Sequence, residues 1–173
     1  MIKTLEEIDT VRKRGFRPGV VGCFLNGGKL LFLYKREHNL WQLPQGGIEN
    51  EETIEEAFGR EMSEELGEEF IASTGGEIAY VAEDKVEFPR QKQGDRELQT
   101  DDGQPMVMKG KKYFFVCAYR LDPNIDIEAT EFDDYKWASC GEGMKLAEKI
   151  YQKGKQRITI KILKKLKSLE LIS

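Results

Sequence analysis

Between Glu49 and Glu69 the chain carries ten Glu and a single Arg, a net charge of −9, and this stretch limits the possible folds more than any other. Within it Ile54, Phe58, Met62 and Leu66 recur at the spacing of one helix face. The segment therefore predicts a helix from Glu52 to Leu66, stopped by Gly67, whose apolar stripe has to pack on a sheet. At about 100° per residue, Glu64 falls about 60° to one side of Glu61 and Glu65 about 40° to the other, so three carboxylates share the face beside that stripe. Such like-charge pairs cost an exposed helix about 0.2–0.5 kcal/mol each, and more where the local dielectric is lower. Either the face is solvated or something neutralises it. Arg60 points about 100° away, with Glu56 as its expected partner. The remaining neutraliser is a divalent cation, and an oxygen-only donor set without His or Cys selects Mg²⁺ or Mn²⁺ over Zn²⁺.

Leu43-Pro44-Gln45-Gly46-Gly47 leads into this helix. Two glycines there let the backbone approach a ligand closely and offer its own N–H and C=O groups. Glu52 at the expected helix start suits the positive end of the macrodipole. The charge is balanced elsewhere: from Gly143 to Lys167 nine Lys/Arg face one Glu, a net of +8, while the whole 173-residue chain carries only −4. Opposite patches in one small domain fit a protein that holds cations at one place and meets anions at another, although either patch is also compatible with a solvated face.

The chain is long enough for one domain, and 9 Phe, 6 Tyr and 2 Trp supply a core. No apolar run approaches the ~20 residues of a membrane span, and the first residues lack a signal-peptide pattern. Three widely spaced cysteines, Cys23, Cys117 and Cys140, fit neither a disulfide framework nor a zinc site, so a reduced, cytoplasmic setting is expected. Cys23 and Cys117 read as small apolar strand residues. Residues 1–14 read as a short polar N-terminal segment, and 15–173 as a single domain ending in a basic helix. Strands are expected over Pro18–Leu25, Lys29–Lys35, Glu77–Ala82, Lys112–Arg120 and Tyr135–Ser139, the first two joined as a hairpin by Asn26-Gly27-Gly28. His38–Gly47 reads as loop. Glu83–Gly110 reads as a long polar connection, a frequent form of binding element. Gly143–Leu169 reads as helix with a break at Gly154.

Gly46, five residues, Glu52, seven residues, Arg60-Glu61-Met62, one residue, Glu64-Glu65, one residue, Gly67 resembles the signature of the Nudix hydrolases at every fixed position. It departs at Glu68, where the family usually has an aliphatic residue, and at Glu51, where many members have Gly. Phe16-Arg17-Pro18, Trp41-Gln42-Leu43-Pro44-Gln45-Gly46-Gly47-Ile48, Lys112-Tyr113-Phe114-Phe115 and Glu131-Phe132-Asp133 with Trp137 are similar to the branch containing bacterial RNA pyrophosphohydrolases and diadenosine polyphosphate hydrolases.

The resemblance implies an α/β (α+β) Nudix fold, a mixed β-sheet sandwiched between α-helices. It also implies Mg²⁺- or Mn²⁺-dependent hydrolysis of a pyrophosphate bond in a nucleotide-containing substrate. On this chain it makes Glu61, Glu64 and Glu65 metal ligands and catalytic groups, Glu61 or Glu64 also positioning the attacking water. The backbone carbonyl of Gln45 or Gly46 becomes a further ligand, and Glu131 a loop ligand or general base. Glu52, Arg60 and Gly67 become structural. The expected partner is a nucleotide or an RNA 5′-end, with no membrane, and a monomer is favoured. Free nucleotides, nucleotide sugars or ADP-ribose are the alternative substrates, and a non-catalytic nucleotide- or RNA-sensing domain is an alternative of another class.

Cations should meet the rest of such a substrate. Lys35 aligns best with the branch's phosphate-contacting position and is followed by Arg36; a strand-end pair reaching into solvent is the other reading. Arg17, Lys112, Tyr113 and the backbone of Gly46-Gly47 are further substrate-binding candidates. The basic C-terminal helix either steers RNA phosphates or packs Ile158, Ile162, Leu163 and Leu166 inward. Trp41 reads as a core or loop anchor, with base stacking as the alternative; Tyr113 and Phe88 are other stacking candidates. His38, the sole His, reads as incidental.

Overall fold

A strand that is apolar on both faces has to be covered twice. In the computed structural model, which describes residues 3–173, β1 (Phe16–Asn26) and β8 (Gly110–Arg120) are such strands, and they run side by side in parallel from Phe16↔Gly110 to Leu25↔Tyr119. β2 (Lys29–Lys35) folds back on β1 through Gly27 and Gly28, both at positive φ, as a tight hairpin requires. β3 (Leu40–Gln42) and β9 (Asp134–Ala138) flank β2, and β5 (Thr74–Glu87) pairs antiparallel with β8. The order is β3-β2-β1-β8-β5, and β4 (Gln45–Gly47) pairs with the first half of β1.

Alternation along these strands sorts their side chains into two cores. Phe16, Val20, Phe24, Leu31, Leu33, Phe114 and Val116 meet α1 (Leu5–Lys13), α2 (Ile54–Leu66) and α3 (Glu68–Ala72). Val21, Cys23, Leu25, Leu30, Phe32, Phe115 and Cys117 meet α4 (Cys140–Glu148) and α5 (Lys153–Ser168). The result is the mixed sheet between helices that the sequence implies. Ile158, Ile162, Leu163 and Leu166 face inward, as one reading of the basic helix has it. Among the described residues no helix is long and apolar enough to cross a membrane.

Four elements differ from the sequence reading. The polar N-terminal segment is the helix α1, opened by a Thr4–Glu7 capping box and burying Ile8 and Val11 against the core, with Asp9 and Arg12 buried beside them. The C-terminal helix breaks at 149–152, between α4 and α5, and α4 starts at Cys140 behind its own Ser139–Glu142 capping box. Gly154 instead sits in the first turn of α5, where a Cβ would lie 2.5 Å from Val86 Cγ1. The 38–47 loop contains the short strands β3 and β4. The long connection contains the end of β5 and a hairpin, β6 (Glu97–Gln99) with β7 (Pro105–Val107).

If α1 is part of the core, Ile8→Ala should cost about 2–5 kcal/mol, the range for emptying a fully buried aliphatic site, in a single urea transition. A cost below about 0.5 kcal/mol, typical of surface positions, would mark α1 as an appendage.

Candidate active site

Strand β4, which carries Gly46 and Gly47, and the acidic helix are joined by one guanidinium. Arg60 donates through Nε and Nη2 to the two oxygens of Glu52, both at 2.8 Å, and through Nη2 to the Gly47 carbonyl at 2.9 Å. Its Nη1 reaches Glu61 Oε1 at 2.8 Å. Arg60 therefore does not turn back to Glu56, which is occupied in the Thr53 capping box that starts α2. Its long side chain reaches across the turn instead. Hydrogen bonding by Arg60 holds the Glu52 carboxyl below its ordinary pKa, and Glu52 in turn raises that of Arg60. Gly67, at φ +93° and donating to Ser63 O, ends the helix where a side chain would be strained.

Glu61 lies directly on the Gly46 backbone: a Cβ at Gly46 would stand 2.0 Å from the Glu61 carboxyl carbon. Glu65, half-buried, accepts from the Gln45 N–H at 3.1 Å. Its pKa is pushed up to about 8, first by burial, then by the charges of Glu61 and Glu131, against the pull of the Gln45 N–H and Lys155. The Glu131 N–H donates to Glu65 O at 3.0 Å, which sets its loop at the end of α2. The Glu64 side chain is 59% exposed, with Arg60 Nη1 3.8 Å away, and Glu131 is exposed as well.

Among the described residues no three acidic, Cys or His side chains close on one point as they stand. The donor set still fits a hard divalent cation. Its side-chain ligands are all oxygens, Gly46 leaves room for Glu61, and half-buried Glu65 is surrounded by negative charge that a cation would relieve. Glu61, Glu64, Glu65 and Glu131, with the carbonyl of Gln45 or Gly46, are the groups able to hold it.

Three recesses meet around this cluster. One of about 160 Å³ lies over Gly46–Gly47 and includes Arg17, Lys111 and Tyr113. One of about 260 Å³ includes Lys35, Glu65, Glu131 and Lys155. The largest, about 500 Å³, runs from Gln45 and Lys155 past Phe88 to Lys92 and Arg96. Burial lowers the pKa of Lys111, and the nearby charges of Arg96, Arg17 and Lys155 lower it further. Burial also lowers that of Lys155, while Glu65 opposes the shift.

The expected substrate contacts separate. Arg17, Gly46, Gly47 and Tyr113 line the recesses. Lys35 lines one too, but its ammonium caps the Glu131 carbonyl and lies 5.8 Å from the centre of the Phe132 ring. Arg36 lines none; its backbone N–H bonds Asp133 Oδ2 at 2.7 Å and its side chain is exposed. Lys112 is on the opposite face of β8, paired with Glu83 at 2.9 Å beside α1. Strand alternation is the reason: Lys111 and Tyr113 share the site face, Lys112 and Phe114 the other. Trp41 packs on Tyr34 at 5.2 Å and on the second core, an anchor. Phe88 lines the large recess, and His38 is exposed beside Tyr151. Lys111 could have been found from its parity with Tyr113. Lys155 was hidden in a run of nine basic residues.

Raising the pKa of Glu65 on folding means that the folded chain binds its proton more tightly than the unfolded chain. In the metal-free protein this contribution to stability is complete below about pH 4.5 and is lost as pH rises toward about 8. Urea titrations in chelator should show wild type weakening across that window and Glu65→Gln weakening less; equal slopes would contradict the buried, crowded carboxylate.

A search for relatives agrees with this geometry. The NUDIX domain model matches residues 15–158. An RNA pyrophosphohydrolase of Marinomonas sp. (strain MWYL1) is 32% identical over 135 residues, covering 72% of this chain and 76% of that protein. One of Actinobacillus pleuropneumoniae serotype 3 (strain JL03) is 32% identical over 131 residues, covering 72% of this chain and 60% of that protein. Among solved structures, the E. coli dihydroneopterin triphosphate pyrophosphohydrolase superposes with a TM-score of 0.57 at 16% identity, over 86% of this chain and 97% of that one. By its signature helix, its sheet and these matches, the chain belongs to the Nudix family.

Proposed function

We propose that this chain is a Mg²⁺- or Mn²⁺-dependent hydrolase of a pyrophosphate bond, acting on a 5′-triphosphorylated RNA end or a dinucleoside polyphosphate. The observation that carries this reading is the meeting of two opposite charge sets around Gln45–Gly47: crowded carboxylates around Glu65, and Lys155, Lys111, Arg17 and Arg96 lining the adjoining recesses. A ligand that suits both sets coordinates cations and is itself polyanionic, as a pyrophosphate is. The names of the curated relatives support the RNA substrate.

Bound divalent cations would polarise the phosphoryl oxygens and lower the pKa of water. The chain supplies the rest. Glu61, Glu65 and Glu131 would hold the cations, with Glu61 set by Gly46 and Arg60. Glu64, whose carboxylate is open to solvent at the rim of the cluster, orients the attacking water and accepts its proton at a carboxylate oxygen. Lys111, Arg17 and Lys155 take up charge on the phosphates that flank the cleaved bond. The Phe88 recess extends beyond the phosphates and has room for a nucleoside or a following nucleotide.

A panel of 5′-triphosphorylated RNA, diadenosine tetraphosphate and ADP-ribose, each with Mg²⁺, tests the reading. The first or second should be turned over fastest, and Glu64→Gln should lower kcat by about 10²–10⁴, the range for losing a general base, with an unchanged melting curve. Preference for ADP-ribose would move the protein to another substrate class. Tight binding without hydrolysis of any of the three would make it a sensor.

A further inference from the structure

Three consecutive carbonyls lead out of β4, those of Gly47, Ile48 and Glu49, and two guanidiniums hold them. Arg60 takes Gly47 O. Arg12, from α1, takes the next two: its Nη2 donates to Ile48 O at 3.1 Å and to Glu49 O at 2.8 Å. Arg12 is buried, its side chain only 3% exposed, and its Nη1 is paired with Asp101 at 3.0 Å and Asp9 at 3.5 Å. A cation so far from water is kept for its bonds, and every one of them lies on α1, on the turn leaving the candidate active site or on the 88–109 connection.

Asp101 completes the arrangement from that connection. Its Oδ1 accepts from Arg12 Nη1, from Asn50 Nδ2 at 2.9 Å and from the Glu51 N–H at 3.1 Å. Its own N–H donates to Asp9 Oδ1 at 2.8 Å. Glu51 stands at φ +60°, a left-handed conformation that a residue with a side chain adopts at a cost. The bond from its N–H to Asp101 helps to hold that bend. One residue on, Glu52 accepts from the Glu49 N–H at 2.8 Å and pairs with Arg60. The 48–52 segment is thus pinned from both sides, by α2 through Arg60 and by α1 through Arg12. Arg12 and Asp9 lie outside the span matched by the family model.

We infer that Arg12, braced by Asp9 and Asp101, is a positioning residue for the reaction: it fixes the 48–52 bend and with it the Gly46–Gly47 backbone on which Glu61 rests. This rests on the reading of that turn and of α2 as the catalytic centre. Lysine keeps the charge of Arg12, but a single ammonium does not reproduce the planar fork that spans two carbonyls and a carboxylate.

The test compares wild type, Arg12→Lys and Arg12→Lys/Glu51→Gly, the glycine relieving the left-handed bend. In Arg12→Lys, amide exchange at 47–52 should speed up at least tenfold while α5 amides stay protected. The kcat should fall about tenfold with KM for the preferred substrate changed less than twofold, and Glu51→Gly should restore part of that kcat. Asp101→Asn serves as a second variant and should lose kcat in the same sense if Arg12→Lys does not fold. Unchanged kcat in a folded Arg12→Lys, or equal losses in exchange protection throughout the domain, would overturn the inference. Local exchange needs no turnover, so an altered 47–52 segment in a chain inactive on all substrates would uphold the brace and reject the proposed reaction instead.

Discussion

The bidentate pair between Arg60 and Glu52 is the contact on which the candidate site depends. It lies between the end of a strand and the start of a helix, two elements that β-pairing and helix bonds alone would leave free to hinge. With Arg60 also on Gly47 O and Glu61, a single group sets the backbone of the turn, the first residues before α2 and one acidic side chain. Glu52 is 12% exposed and Arg60 27%. Removing one partner of a fully buried pair costs about 3–5 kcal/mol; partial exposure reduces that figure here. The larger consequence is geometric, because Glu61 would lose its register with Gly46.

The charge layout follows from this arrangement. α2 packs Ile54, Phe58, Met62 and Leu66 on the sheet, which leaves its carboxylates at the rim of that core, where desolvation raises the pKa of Glu65. α5 buries its own apolar stripe against the other face of the sheet, so Lys155 in its first turn emerges beside Glu65. β1 and β8 run parallel in register, which brings Arg17 and Lys111 onto one row. The acidic groups thus come from α2, and the basic ones from β1, β8 and the first turn of α5, around the place where β4 pairs with β1.

Much of this was legible in the sequence because it is local or periodic. The signature helix, the Gly27–Gly28 hairpin and the inward stripe of α5 need only spacing and turn chemistry. Other features depend on long-range contacts that spacing does not encode. α1 is stabilised by docking Ile8 and Val11, and β4 is three residues of Gln-Gly-Gly held by pairing to β1. Arg60 lies off the carboxylate face by its helical angle, yet its side chain is long enough to cross the turn. Lys112 falls on the face of β8 away from the candidate site and Lys111 on the near face, one step apart in a two-residue period. The roles of Arg12 and Asp101 were hidden because 89 residues separate them.

The central claim is that carboxylates of α2 and the backbone of the Gly46 turn grip divalent cations together. Anomalous diffraction from a crystal soaked in Mn²⁺ tests it most directly. The account predicts a peak within ligand distance, about 2.0–2.3 Å, of carboxylate oxygens from Glu61 or Glu65 and of the Gln45 or Gly46 carbonyl. Manganese found only elsewhere on the surface, with that turn and those side chains bare, would contradict it.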